Sequence, residues 1–278
     1  MFDIFIDILS VFFQFLKIPI LFIFFFIVLI IVLVAINLVY CRLVKKMPRI
    51  KTSSVKTQKK PFLFKIFVEF PRQLAFDIAN KDPDRFPYKG VVIFTGRQGN
   101  GKTIALVNAI NSMQSSFPRC KVITNLRYTE EDDSLYHWRQ LCDYTNSKYG
   151  VIVGMDETQN WFSSAQSKSF PPEMLSVITQ NRKNARIILG TAQSFHLLAK
   201  SIRSQCTEVR ECHTIFGCVT YVTRKEPILD ADGNVSEYKR IGSPYFFVHS
   251  QKLRSMYDTY FTVDSLSKSG FIDIEREL

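Results

Sequence analysis

Residues 96–103 read GRQGNGKT and match the spacing G-x-x-x-x-G-K-[ST] through Gly96, Gly101, Lys102 and Thr103. With ordinary residue frequencies, such a match arises by chance in about one chain of this length in a hundred. The residue types suit phosphate. Glycines at 96, 99 and 101 let the backbone curl, so that the amides of Gly96, Arg97, Gln98, Gly99, Asn100, Gly101, Lys102 and Thr103 can turn inward on phosphate oxygens. Lys102 is placed to reach β- and γ-phosphates, and the Thr103 hydroxyl to coordinate Mg2+. Further on, YGVIVGMDETQ brings two carboxylates together, Asp156 and Glu157. Asp156 suits the water shell of that metal, and Glu157 suits polarising an attacking water. Gln193, in LGTAQSF, is placed to bridge a γ-phosphate or the water to the sheet, or else to cap the helix that follows.

Chemistry of this kind needs rigid elements behind it. Apolar runs at 91–95 (VVIFT), 121–124 (KVIT), 151–155 (VIVGM) and 186–190 (RIILG) read as buried strands. Helix-length segments separate or follow them at 102–116, 135–147, 172–183 and 194–203. The alternation predicts a parallel sheet with helices on both faces. The glycine loop would leave the first strand and open the first helix, and the acidic pair would end the third strand. KVIT, followed by Asn125 rather than a carboxylate, falls between them in sequence, so the loop strand and the acidic strand are not expected to be neighbours in the sheet. Gly154 inside the third strand suggests a close backbone approach.

After Cys206 the texture changes. EVRECHTIFGCVTYVTRKEP and YKRIGSPYFFVHSQ read as strands joined through a turn at DADGN, forming an edge to the sheet or an added lid. DADGN opens like a calcium loop but lacks the later ligand positions. Cys206, Cys212 and Cys218, with His213, are evenly spaced and invite a zinc reading; no CxxC pair is present, and alternate strand positions account for the spacing as well.

These features place the chain in the α/β class, as a P-loop NTPase that binds ATP with Mg2+ and hydrolyses it, preceded by an N-terminal transmembrane helix. The expected layout, with loop and acidic strands apart, is that of RecA/FtsK/HerA-like proteins, by analogy. The motifs GRQGNGKT, TNLRY, GMDETQNWF, ITQNRKNARIILGTAQ and LRSMYDTY also occur in an order that resembles the zonula occludens toxin-like family, the assembly ATPases of filamentous phages (inoviruses). The resemblance covers roughly residues 88–262. It implies an inner-membrane ATPase that extrudes single-stranded DNA while coat protein is added. It matches Lys102 and Thr103 to the loop residues, and Asp156 and Glu157 to the acidic pair. In that family the membrane span usually follows the ATPase domain. Here it comes first and the chain stops soon after the domain, so a direct link to an outer-membrane channel and a toxin activity are not expected.

The span itself is plain. From Ile20 to Ile36 no residue is polar, and with Asn37 the run reaches Cys41. A bilayer core needs about 20 apolar residues as a helix. A signal peptide has a shorter apolar region and a small-residue cleavage site; neither describes IVLVAINLVYCRLVKKMPRI. Arg42, Lys45, Lys46, Arg49, Lys51, Lys56, Lys59 and Lys60 follow with no acidic residue, carrying eight of the eleven net positive charges. Basic flanks stay inside, so the expected arrangement is a single pass through the host inner membrane, amino end outside and the ATPase domain cytoplasmic. The basic run should also meet anionic lipid headgroups. Residues 1–16 either lie in the interface or form a second short span. Six cysteines on a chain placed mainly in a reducing compartment are not expected to form disulfides.

The expected organisation is therefore a membrane anchor (1–41), a basic juxtamembrane and amphipathic connector (42–85), the ATPase domain with its C-terminal β-hairpin region (86–262) and a tail (263–278). Between Met174 and Thr207 there is no acidic residue, while Arg182, Lys183, Arg186, Lys200 and Arg203 are basic. They read as a groove for single-stranded DNA, as an arginine finger completing a neighbour's site in a ring-shaped homo-oligomer, Arg182 first, or as a solvated basic face. Trp161 and Phe162 read as core rather than base-stacking residues. Alternatives to phage assembly are a DNA translocase or conjugation-type coupling ATPase, and a non-hydrolysing membrane switch or scaffold.

Overall fold

The computed structural model describes residues 2–44, 60–164, 178, 185–230 and 233–258. The chain falls into two compact units that divide between Pro83 and Asp84.

In the first unit, α1 (Phe2–Val44) runs as one helix through Pro19. Its segment Lys17–Leu43 is 27 residues long and apolar enough to cross a membrane. At 1.5 Å per residue it measures about 40 Å, against a hydrocarbon core of about 30 Å. Many of its large apolar side chains are exposed, from Leu21 at 70% to Leu43 at 78%, while Phe26, Leu29, Ile30 and Leu33 are half-buried. A helix apolar all round suits lipid rather than water. Asn37, the one interruption, donates its side-chain amide to the Leu33 carbonyl at 2.8 Å and so satisfies itself within the helix. After the undescribed stretch, a short helix α2 (Phe62–Phe64), a π-helical turn (Lys65–Glu69) and α3 (Phe70–Ala79) run on continuously. Lys60 pairs with Glu69 across this segment. α3 packs along α1, and Phe67 in the turn before it meets Phe26 edge to face at 5.3 Å.

The second unit is built on a sheet of β1 (Gly90–Thr95), β2 (Lys121–Thr124), β3 (Asp133–Ser134), β4 (Val151–Met155), β5 (Arg186–Ala192), β6 (Cys206–Ile215), β7 (Val219–Leu229), β8 (Val235–Arg240) and β9 (Tyr245–Val248). The order is β3-β2-β4-β5-β1-β6-β7-β8, with β9 also paired to β7. The strands from β3 to β6 are parallel, and β7 onward antiparallel. The four apolar runs are β1, β2, β4 and β5. The loop strand β1 and the acidic strand β4 are not neighbours, as expected, but the strand between them is β5, while β2 (KVIT) lies on the far side of β4. Alternation sends Val92, Phe94 and Ile152 to one face, against Leu106 and Ile110 of α4 (Lys102–Ser116). Ile93, Val153 and Ile188 go to the other, with Trp161, Phe162 and Ile202. Each such fully buried aliphatic side chain contributes about 1.5–3 kcal/mol.

Two expected helices are reduced. The segment 135–147 holds only α5 (Arg139–Asp143), because Leu135 is drawn onto β2, its amide bonding the Thr124 carbonyl at 2.6 Å. The segment 194–203 breaks at Leu198 and Ala199, both extended, because Ala199 donates to the Phe162 carbonyl at 2.8 Å and Leu198 bridges Ser163. Tertiary pairing overrides local propensity in both. The helix expected at 172–183 lies outside the described residues apart from Ile178, which is helical and buried.

The region after Cys206 extends the sheet as an edge. The expected turn at DADGN joins β7 to β8, with Gly233 bonded to the Asp230 carbonyl at 3.0 Å. A bulge between Cys206 and Glu208 turns β6 over, so Cys206 packs against one core cluster while Cys212 belongs to the other. The sheet itself thus separates these two thiols, and among the described residues no group of His, Cys, Asp or Glu could hold a metal.

Glu208 joins β6 to β7. It is buried, accepting from Arg210 Nε at 2.8 Å and from Arg224 Nε at 2.6 Å, while Arg210 also lies over Phe94 at 5.3 Å. Burial alone would raise the Glu208 carboxyl, but the hydrogen bonds from Arg224 and Arg210 hold it below the usual glutamate range. A carboxyl depressed by folding adds stability that is complete above its unfolded value, roughly pH 4.3, and lost as pH falls through the folded one. The wild type should therefore exceed Glu208→Gln by on the order of 3 kcal/mol at neutral pH in denaturant unfolding. The gap should close as pH is lowered below about 4; a pH-independent gap refutes the ion-pair account.

Candidate phosphate and metal site

The glycine loop is shaped by what stands behind it. At Gly96 (φ 148°) a Cβ would sit 2.8 Å from the Cys212 carbonyl oxygen of β6. At Gly101 (φ 76°), the residue that opens α4, a Cβ would collide with the hydroxyls of Thr214 and Thr220 on the β6–β7 hairpin. Both positions therefore require glycine. Asn100 adds a bond from its side-chain amide to the Cys212 carbonyl at 3.3 Å. Burial pushes the Cys212 thiol up to about 12, so it stays neutral behind the loop. The hairpin sets the curl, and the curl delivers the first amides of a 15-residue helix with no acidic residue in its first turn. Those orphan amides and the helix dipole make an anion site. Lys102 is buried at 7% exposure, its ammonium donating to the Arg97 carbonyl at 3.2 Å.

The acid side is held as tightly. β4 ends at Met155, so Asp156 emerges at the carboxyl end of the strand facing α4. The Thr103 hydroxyl donates to the Asp156 carboxylate, 3.1 Å from each oxygen, and Thr191 on β5 donates to Oδ1 at 2.5 Å. Asn125, just past β2, grips the Asp156 backbone from both sides: its Oδ1 accepts the Asp156 amide at 2.7 Å, and its Nδ2 donates to the Asp156 carbonyl at 3.1 Å. Glu157 sits in the left-handed region (φ 48°, ψ 47°), which costs a non-glycine residue about 1–3 kcal/mol. The Thr191 hydroxyl steadies it by accepting the Glu157 amide at 2.9 Å. Thr158 follows, buried, donating to the Met155 carbonyl at 3.0 Å; Gly190 leaves room for it.

Loop and acids share one cleft of about 520 Å³, lined by Lys102, Thr103, Asp156 and Glu157. A hydroxyl and a carboxylate 3.1 Å apart, beside an anion site, form the oxygen-only donor set that suits Mg2+ carried in on phosphates rather than held in a protein cage. This is a P-loop NTPase fold.

No family model matches the chain, and no curated protein does. Solved structures do. The N-terminal domain of the zonular occludens toxin from Neisseria meningitidis is similar, with a TM-score of 0.43 at 17% identity over 61% of this chain and 99% of that one. The DNA-packaging ATPase B204 from Sulfolobus turreted icosahedral virus gives 0.40 at 12% identity, over 58% of this chain and 100% of that one. The genome-packaging NTPase B204 of Sulfolobus turreted icosahedral virus 2, in complex with AMPPCP, gives 0.38 at 15% identity over 49% and 77%.

Within this P-loop NTPase fold, Gln193 stands apart from Glu157. It lines a second cleft, of about 830 Å³, with Gly96, Arg97 and Asn100. It does not cap the following 3-10 turn either, whose N-cap is Ser194. Arg97 and Gln98 are exposed at the loop's tip. Arg182 and Lys183 lie outside the described residues. The basic face read from the sequence needs correction at Arg186 and Arg203, both buried. Arg186 opens β5 inside the sheet and donates to the Leu141 carbonyl and, at 2.7 Å, to the Tyr144 carbonyl, tying down the end of α5. Burial draws its pKa below the ordinary arginine value. Neither residue can belong to a solvated groove; Lys200 is exposed. Trp161 and Phe162 are core, at 3% and 1%.

Asn125 and Thr191 carried no role in the sequence reading. A polar side chain directly after a buried parallel strand was the available signal for Asn125. Nothing local marked Thr191, whose role depends on β5 lying beside β4. Asn125→Ala would leave the Asp156 amide without its acceptor, destabilising the fold by about 1–3 kcal/mol in denaturant unfolding. An unchanged midpoint would show that the clamp carries no weight.

Proposed function

We propose that the chain is a membrane-anchored ATPase that powers assembly of a filamentous phage and extrusion of its single-stranded DNA. The observation that carries the enzymatic part is the meeting of Thr103 and Asp156 at 3.1 Å in the same cleft as Lys102 and Glu157. The loop amides would cradle the α- and β-phosphates, Lys102 would reach the β- and γ-phosphates, and Thr103 and Asp156 would hold Mg2+. When bound, the metal supplies charge that offsets the phosphates. Glu157 takes a proton from a water lined up on the γ-phosphorus as the bond to the bridging oxygen breaks. Arg182 is the candidate finger supplied by an adjacent subunit of a ring.

Two things support the cellular part: the order of motifs that resembles the phage assembly family, and a helix long and apolar enough to cross a membrane. The basic run after it favours an outside amino end, a cytoplasmic ATPase domain and contact with inner-membrane lipid. Coat or assembly proteins are the expected protein partners.

The test is ATP turnover by the full chain in detergent micelles, with and without single-stranded DNA. Lys102→Ala should abolish hydrolysis and weaken ATP binding. Glu157→Gln should bind ATP while its turnover falls by about 10²–10⁴-fold; brisk hydrolysis by that variant would falsify the assignment of the base. Turnover indifferent to DNA would point to coat or envelope proteins as the trigger, and no turnover under any condition to a switch or scaffold.

Topology is tested separately in inverted inner-membrane vesicles. Added protease should degrade a tag on the carboxyl end and spare one on the amino end. The reverse pattern overturns the orientation.

A further inference from the structure

The cleft that holds Lys102, Thr103, Asp156 and Glu157 takes part of its lining from outside the loop and the acidic pair. Its lining also includes His249, Arg254, Tyr257 and Asp258, from the last described stretch of the second unit, with Ile104 and Leu126. At about 520 Å³ the space lies within the range of small-ligand sites, roughly 300–1,000 Å³. The metal and hydrolysis chemistry belongs to one end, with Lys102, Thr103, Asp156 and Glu157.

The geometry fixes which end is which. Thr103 and Asp156 mark the metal between the β- and γ-phosphates, and the loop amides cradle the α- and β-phosphates. The chain of phosphates therefore ends over the start of α4, where Ile104 lines the cleft, and whatever is attached to the α-phosphate continues toward the far wall. That wall offers the phenol ring of half-buried Tyr257 and the planar guanidinium of exposed Arg254. Flat, half-apolar surfaces of this kind take a nucleobase by stacking.

The wall is also built in advance. His249 donates its amide to the Cys218 carbonyl at 2.7 Å, and its Nε2 meets the Thr220 hydroxyl at 2.7 Å, directly behind Gly101. Burial and the nearby Arg254 charge hold the His249 pKa below its ordinary value, so it is neutral at pH 7. Ser250 caps the short helix Gln251–Arg254 through the Leu253 amide at 3.2 Å. Leu253 and Met256 are buried in the α4 core cluster, and the Met256 carbonyl accepts the Thr129 amide at 2.8 Å. Arg254 is steadied from the hairpin turn, donating to the Gly217 carbonyl at 3.0 Å. A wall ordered beforehand loses little entropy on binding.

We propose that the segment His249–Asp258 holds the nucleoside half of the nucleotide, with Tyr257 and Arg254 meeting the base. The inference rests on the phosphate-site reading above and adds the part of the ligand that reading leaves free.

The test compares two probes by calorimetry on the full chain in micelles, each with Mg2+: a non-hydrolysable ATP analogue and inorganic tripolyphosphate. Wild type should bind the analogue about 10- to 100-fold more tightly than tripolyphosphate. Tyr257→Ala should erase most of that difference by weakening the analogue alone, Tyr257→Phe should keep it, and Arg254→Gln should reduce it. Lys102→Ala should weaken both probes. Equal affinity of wild type for the two probes overturns the inference while leaving the phosphate site standing, and it does so without any variant. Loss of both probes in Arg254→Gln also overturns it, because the guanidinium would then be serving phosphate. Failure of wild type to bind either probe removes the phosphate-site reading itself. Tyr257 packs partly against the core, so the exposed Arg254 and the wild-type comparison decide the matter if Tyr257→Ala does not fold.

Discussion

The hydrogen bond from Thr103 to Asp156 joins residues 53 positions apart, and most of the second unit exists to make it. Thr103 belongs to the first turn of α4 and Asp156 to the end of β4, with β5 between β4 and the loop strand. A parallel sheet places strand ends of the same polarity along one edge, so a loop after one strand and an acid after another can share a cleft. Inserting β5 between them adds a third contributor. Thr191 reaches from it to bond both the Asp156 carboxylate and the Glu157 amide. The separation of the two motif strands is therefore what creates a slot for the residue that aligns both acids.

The loop depends in the same way on the antiparallel extension. A glycine loop has many conformations when free, and glycine loses more of that freedom than any other residue on folding. Here the loss is offset by backing the loop onto β6 and β7. Thr214 and Thr220 share a hydrogen bond of 2.7 Å immediately behind Gly101, and Glu208 ties the two strands together lower down. The edge strands thus act as the brace for the loop rather than as a lid over it.

How much of this was legible follows from the range over which each signal acts. The parallel core was legible because its strands are unbroken aliphatic runs, and α4 because the motif fixes its start and Ser116 ends it. Lys102, Thr103, Asp156 and Glu157 were legible as types at a spacing, and the fold brings them into one cleft. The broken helix at 194–203 was not legible, since its break is made by pairing with Phe162 and Ser163 about 35 residues earlier. Arg186 misled for a related reason: its charge argues for solvent, but two main-chain carbonyls at the end of α5 take its donors inside the protein. Asn125 carried a local signal, a polar side chain just past a buried strand, but Thr191 and the far wall of the cleft depend on strand order and on a return of the chain, which no local pattern encodes.

The charges of the cleft also limit what can enter it. Lys102 and the α4 amides supply one full positive charge and roughly half another. Asp156 and Glu157 bring two negative charges to the same space, and the hydroxyls of Thr103 and Thr191 satisfy the Asp156 oxygens without neutralising them. The described lining therefore leaves close to half a negative charge before any ligand arrives, apart from Arg254 and Asp258, which offset each other at the far wall. A bare polyphosphate would be repelled at the acid end while being attracted at the loop. A divalent cation placed between Asp156 and the phosphates removes that conflict, because it turns the carboxylate from a repelling group into a ligand. The hydroxyl-lined acid is thus better suited to a metal–phosphate pair than to either component alone, and the loop's anion site and the acid's cation site need each other.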